Sequence, residues 1–350
     1  MKKLLLLTLS FGIFGISEGY SQGCIAVRCM GSVNGNPSGS ASMHAGSFQF
    51  SANYRNLHSY KHFVGTVEQP HRVEQGTEVI NDQHSFDFGL TYAITNRLSA
   101  TLNVPMSYND RSSLYEHYGN GTPPGSNPRF HTHSKGVGDM RLSTSYWILD
   151  PMTHLKGNFA LGLGIKAPTG NANVQDDFHK LDKNQKEYIV RKAVDQSIQL
   201  GDSGWGYSID IQGYQSLFKK ATLYYNGFYM FSPKELNKAT NLSVPDQFGG
   251  RVGMTYVLFP KHGIAASLGG RIEGLPAVDA IGGSAGSRRP GYIISAEPGI
   301  IWSGHHHSFL LAVPYALVRN RIPTWTALGL KSGDAAFADY FISATYSYRF

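Results

Sequence analysis

No apolar run in the 350-residue chain reaches the roughly 20 residues that a membrane-spanning helix needs. Mean hydropathy is negative, so a polytopic helical membrane protein is excluded. Charge is scarce as well: Asp, Glu, Lys and Arg make up 16% of residues against 41% hydrophobic ones, the reverse of a disordered composition. There is no P-loop, no Cys-x-x-Cys pair and no paired-carboxylate motif. The formal charge of +7 is spread along the chain and is only a weak argument for a nucleic-acid partner; none is expected. What the chain has instead is glycine (40), tyrosine (20) and phenylalanine (19). That balance points to an all-β chain, and it admits the one membrane class that hydropathy does not detect, the transmembrane β-barrel.

Residues 1–21 read as a cleaved export signal. Lys2 and Lys3 precede the apolar stretch Leu4 to Ile16, and Gly19 and Ser21 form a small-x-small cleavage pattern before Gln22. Removing the segment takes two lysines and one glutamate, moving the charge from +7 to +6. The only cysteines, Cys24 and Cys29, follow at once. Export places them in an oxidising compartment, where a disulfide is the favoured reading. A lipid anchor on Cys24 lacks the usual Leu three residues earlier, and a zinc site would find only His44 nearby. The segment 22–46, rich in Gly and Ser, reads as a periplasmic linker or as a plug folded into a lumen.

The last eleven residues follow a period of two. Positions 340, 342, 344, 346, 348 and 350 are apolar or aromatic, whereas 343, 345, 347 and 349 are polar. A period of two marks a strand whose faces meet different surroundings. Tyr346, Tyr348 and the final Phe350 resemble the terminal strand of Gram-negative outer-membrane barrels, where such a residue is the signal to the barrel-assembly machinery. Ten-residue alternating segments recur upstream: 47–57, 84–94, 97–108, 138–149, 158–168, 206–217, 221–231, 247–258, 264–275, and, apolar on both faces, 292–303 and 308–319. With the terminal strand they number about twelve.

Connections near 95–96, 150–157, 218–220, 259–263 and 303–307 are short, and those near 58–83, 109–136, 169–205, 232–246, 276–291 and 320–336 are long. They alternate, which puts every long loop outside the cell and every short turn in the periplasm. The expected fold is therefore all-β, a transmembrane antiparallel β-barrel of about 12 strands over residues 47–350, or 14 if a hairpin hides in 58–83 or 184–200. No Lys, Arg, Asp or Glu falls on the outward face of these segments. The outer-membrane lipid is the expected partner of that face. A soluble β-sandwich would alternate too, but would need neither the terminal Phe nor the loop alternation.

The other face is polar and mixed in sign. Asp87, Asp139, Asp210, Glu273 and Glu297 oppose Arg55, Arg141, Lys166, Arg251, Arg271 and Arg349, either as a network that holds the barrel in shape or as the lining of a solute path. Twelve strands lie between the eight whose interior side chains fill and the sixteen that leave an aqueous channel. In loop 169–205, Tyr188, Ile189, Val190, Val194 and Ile198 fit a short helix or strand extensions equally well. His305, His306 and His307 read as a solvated turn. His131, His133 and Ser134, placed in a long loop, are a poor match for a catalytic triad. No cofactor, no metal and no catalytic residue is expected.

Gly136-Val137-Gly138-Asp139 opens one strand, and Lys166-Ala167-Pro168-Thr169-Gly170 closes the next. This pairing resembles the outer-membrane proteins known as phenol-degradation meta-pathway proteins, placed near the long-chain fatty-acid transporter superfamily. The resemblance is clearest over 84–210. It implies passage of small hydrophobic or aromatic solutes across the outer membrane. Twelve strands depart from the superfamily's usual fourteen, and no hatch sequence is evident beyond the Gly/Ser segment. Three functions follow in order: a passive channel, a structural or adhesive barrel without transport, and, remotely, a surface lipase.

Overall fold

The protein is described by a computed structural model covering residues 43–120, 128–326 and 329–350. Residues 1–21, Cys24, Cys29 and nearly all of 22–46 lie outside the described residues. Twelve long strands form the wall. They are β1 (Phe48–Val64), β2 (Ile80–Ala93), β3 (Leu98–Ser112), β4 (His131–Val137 and Arg141–Trp147), β5 (Gly157–Lys166), β6 (Gly206–Phe218), β7 (Ala221–Phe231), β8 (Gln247–Phe259), β9 (Ile264–Leu275), β10 (Gly291–Ser303), β11 (His307–Ala312 and Tyr315–Asn320) and β12 (Ala335–Arg349). Each pairs antiparallel with the next, and β12 pairs with β1 to close the cylinder, removing every edge. Closure is completed at the termini, where Phe48 and Phe350 exchange both backbone hydrogen bonds and stack their rings at 5.6 Å.

The outward face is the apolar one. Leu163, Leu268, Ile209, Ile300, Leu142 and Leu317 are all exposed side chains in mid-wall, with no water-soluble core to hide in. Tyr92, Tyr146, Trp302, Tyr348 and Phe350 gather near the periplasmic turns, and Tyr108, Tyr207, Tyr315 and Tyr340 stand toward the other end. Amphipathic rings at both interfaces are what a bilayer of fixed thickness selects.

The strands run further than the alternation indicated. β1 continues to Val64, β3 to Ser112, and β4 begins at His131, so the connections shrink to 65–79 and 113–130. Above the bilayer the outer face meets water and no longer needs apolar residues, so His58, Asp82, Asp110 and His131 occupy it and the pattern fades. His131 and His133 are therefore strand residues, not loop residues. The loop 167–205 contains a separate hairpin, Gln175–Leu181 with Glu187–Ala193, which does not join the barrel and leaves the strand count at twelve.

The wall is interrupted twice. β4 breaks at 138–140; its upper half pairs with β3 alone, its lower half with both β3 and β5. β11 breaks at Val313-Pro314, where proline has no N–H for the ladder. Above the second break β11 and β12 share the single pair Tyr315–Tyr340. The Arg319 guanidinium spans that seam, donating to the Ala338 carbonyl at 3.1 Å and to Asp339 at 2.6 Å.

Candidate solute path

Because side chains alternate along every strand, the residues opposite the lipid belt point into the barrel. Small polar residues line the periplasmic half. Ser51, Thr91, Thr101, Ser143, Ser145 and Ser347 surround a vestibule of about 1050 Å³, the solvent at its mouth included. Asp210 and Asn103 form part of its upper end, and Asp210 accepts from Arg141 at 2.6 Å. Asp87 accepts from Asn103 at 3.4 Å. Arg349 sits at the periplasmic end and donates to Gln49.

A charged layer lies midway up the opposite wall. Arg55 meets Glu273 at 2.7 Å, Arg271 meets Glu273 at 3.2 Å and Glu297 at 3.1 Å, and Arg251 reaches Glu297 at 3.3 Å. Two carboxylates thus bridge three guanidiniums. Aromatic rings are threaded through this layer. Arg55 and Arg271 both lie over the Phe341 ring, 4.2 and 5.1 Å from its centroid, and Arg251 lies over Tyr224 at 5.3 Å. Arg141 approaches Phe228 at 5.9 Å. Toward the extracellular end the interior turns apolar, with Phe63, Phe228, Met230, Leu275, Ile293 and Phe337 in one buried cluster.

Asp139 and Lys166 have a different place. They form a knot between wall and loop at the β4 break. Lys166 is bonded to Asp202 and reaches Asp139 at 3.4 Å. Asp139 accepts the Gly170 N–H at 2.9 Å and the Asp202 N–H at 3.2 Å, while Thr169 accepts from the Met140 N–H and donates to the Gly138 carbonyl. A Cβ on Gly170 would stand 2.7 Å from the Leu200 carbonyl, and one on Gly201 would stand 2.6 Å from the Gly170 carbonyl. Only glycine permits that approach. The two segments that carried the family resemblance therefore meet, and the loop they anchor fills the gap in the wall.

Loop residues are tied together by buried ion pairs at the extracellular end. Arg111, fully buried, contacts Glu116 at 2.9 Å and Asp195 at 3.5 Å, and Arg289 pairs with Asp195 as well. Burial pushes the Asp195 carboxyl up, but the Arg111 and Arg289 guanidiniums prevail and hold it well below the usual carboxylate range. Arg288 pairs with Asp279 beneath the neighbouring loop. The hairpin keeps Val194 and Ile198 buried and leaves Tyr188 and Ile189 exposed.

The apolar cluster and the cap went unread in the sequence. Phe228 and Phe341 fall on the inward positions of otherwise regular strands, and an aromatic on the polar face was the available signal. Ser134 points inward, donating to the Ile198 carbonyl, whereas His131 and His133 point outward. Opposite faces of one strand cannot supply a nucleophile and its base, so the triad suggestion fails on geometry.

No family model matches the chain, and no curated protein sequence is similar to it. Among solved structures, the COG4313 outer membrane channel from Pseudomonas putida F1 superposes with a TM-score of 0.58 at 12% identity, covering 90% of this chain and 100% of that one. The P. putida toluene transporter TodX gives 0.44 at 10% identity, covering 95% and 98%. A Pseudomonas aeruginosa FadL homologue gives 0.41 at 10%, covering 89% and 92%. The first of these likenesses, over the full length of the neighbour, gives this chain the fold of an outer-membrane channel.

Proposed function

We propose that the protein is a passive outer-membrane channel for small hydrophobic or aromatic solutes. The observation that carries this reading is the aromatic-laced charged layer inside the barrel. Guanidiniums stack on Phe341 and Tyr224, and Arg55, the least buried of the three, presents a cation–π surface to a flat, uncharged ring. An apolar cluster above that layer and a polar vestibule below it supply a graded route across the membrane. The inward residues Arg55, Arg251, Arg271, Glu273 and Glu297 would set selectivity. The loops at 113–130 and 167–205 would gate entry. In the same reading, the outer-membrane lipid meets the apolar belt, and the strand ending Tyr346, Tyr348, Phe350 is what the assembly machinery engages.

Flux into liposomes holding the full chain tests the proposal. An aromatic hydrocarbon should enter faster than a sugar of equal size, and Phe341→Ala should narrow that ratio. A barrel that passes neither solute, even after deletion of residues 22–46, would refute it. That result would favour a structural or adhesive barrel, a reading supported by the near-complete burial of Arg251, Arg271, Glu273 and Glu297.

A further inference from the structure

Above the Tyr108–Lys135 rung of the β3–β4 ladder, on the outer surface of the wall, the chain brings together two histidines and two aspartates. His131 and His133 are two residues apart on one strand and so share a face. Asp110 is the cross-strand partner of His133 and lies on the same face. The His131 Nδ1 stands 2.6 Å from one Asp110 oxygen, and the His133 Nε2 stands 3.4 Å from the other. One ligand atom from each of the three falls within 4.8 Å of the others, and among the described residues this is the one such group of three. Two ligand atoms on a tetrahedral zinc-like ion are about 3.3 Å apart, given bonds near 2.0 Å. The His133–Asp110 contact matches that spacing and the His131–Asp110 contact is shorter, so an ion would replace the His131–Asp110 hydrogen bond and spread that pair.

A fourth group completes the pattern. Asp176, from the hairpin in loop 167–205, accepts the His133 backbone N–H at 2.7 Å and faces the His133 Nδ1 at 3.4 Å. A carboxylate at Nδ1 fixes the tautomer that carries its proton there, which leaves Nε2 as the free ligand atom turned toward Asp110. We propose that Asp110, His131 and His133 bind a divalent transition metal of the zinc class. Asp176 is the positioning residue that orients His133, and through it a bound ion ties the extracellular hairpin to the barrel wall. The donor set of two imidazoles and a carboxylate suits Zn²⁺, Co²⁺, Ni²⁺ or Cu²⁺ over Ca²⁺ or Mg²⁺.

The test is a Co²⁺ titration of the untagged full chain in detergent micelles, read by visible absorption and followed by Zn²⁺ competition. His305, His306 and His307 are replaced by alanine in the background so that the periplasmic turn contributes no ligands. His131, His133 and Asp176 lie above the lipid-facing wall, His305 and His306 lie in the turn below it and His307 stands at the foot of β11, and heat-modifiable migration verifies that each variant is folded. One ion per chain is expected, displaced by Zn²⁺ and lost in His131→Ala and in His133→Ala. Asp176→Asn, which keeps the size but loses the orienting charge, should weaken binding at least ~10-fold. An unchanged titration in the His131→Ala/His133→Ala double variant overturns the site, as does a lack of saturable uptake in the background protein. Equal affinity in Asp176→Asn overturns the role given to the hairpin.

Discussion

The two halves of the lumen are built from the same twelve strands and differ in nearly everything else. The periplasmic half is lined by Ser, Thr and Asn around an open vestibule. The extracellular half is packed with phenylalanine and methionine, crossed by buried ion pairs and roofed by loops. The outside shows no such division: the lipid belt is apolar along its whole height. The bilayer therefore dictates one face of each strand uniformly, and the other face is free to carry a gradient. In a barrel with this gradient, packing is tightest in the upper half, and stability of the upper half depends on paired charges.

The largest effect should come from the knot at the β4 break. Lys166→Met leaves the Asp139 and Asp202 carboxylates buried without their cation, and removing one partner of a buried pair typically costs about 3–5 kcal/mol. The loss should appear locally, as release of the 167–205 loop, read by protease cleavage at Arg191 and Lys192 and by a rise in bilayer conductance. The vestibule should be less sensitive by comparison: Ser145→Ala, which loses the bond that Gln212 donates at 2.8 Å, should cost about 0.5–1.5 kcal/mol. Equal sensitivity of the two positions would erase the division between the halves.

The uniformity of the outer face can be challenged next. Leu163→Arg places a charge on a side chain 66% exposed in mid-wall. It should cost about 2–4 kcal/mol in denaturant titrations of the lipid-reconstituted barrel. Ser143→Arg, on an inward position of the adjacent strand, should cost far less, because the vestibule is wet. A third substitution sharpens the interior contrast. Glu273→Gln weakens the charge-assisted bonds to Arg55 and Arg271, each worth about 1.5–3 kcal/mol. It also takes away the charge that Arg55 meets and leaves Glu297 to pair with Arg251 and Arg271. Reversal potentials across a salt gradient should shift toward anion preference; an unshifted value would remove the charged layer from the conduction path.

The outer face was legible in the sequence because a single physical demand, contact with hydrocarbon, fixes it residue by residue. Hence the twelve segments and their parity, from Phe48 to Phe350, could be read directly. The strand tops were not legible, since His58, Asp82 and Asp110 sit on the same face in water, where alternation has no consequence. The interior was half legible. Charges such as Arg271 and Glu297 stood out on the polar parity, but Phe228 and Phe341 share that parity for a reason of packing that no period expresses. Asp139 looked like a lumen carboxylate from its place at a strand start. Its partners, Gly170 and Asp202, come from a loop whose path depends on tertiary contacts alone, and the hairpin that carries Asp176 is of the same kind.

The smallest expected effect concerns the roof of the upper half and its response to pH. His117 is buried in the 113–130 loop, its ring 5.3 Å from Phe178 and beside Phe130 and His179. Burial first, then the nearby His179, Lys180, Lys192 and His131, push its pKa down to about 4 from the ordinary 6.5. The closed roof therefore holds the neutral ring. Above pH 6.5 the opened loop is neutral too, and the full stability of the closed form is present. Between pH 6.5 and 4 the opened loop takes up a proton that the closed form refuses, so closure weakens as pH falls, by up to about 1.4 kcal/mol per unit. Glu187, held below its ordinary value chiefly by the Tyr118 hydroxyl and then by His179, adds a loss of the same sign only in the more acidic carboxylate range. Hydrogen exchange of residues 113–118 and 178–181 between pH 7 and pH 5 should thus report His117. Protection should fall with pH in the native chain and stay level in His117→Phe, whose ring fills the same space without a proton to gain. A slope that survives in His117→Phe would move the pH response away from the roof and make the two halves of the lumen alike in this respect.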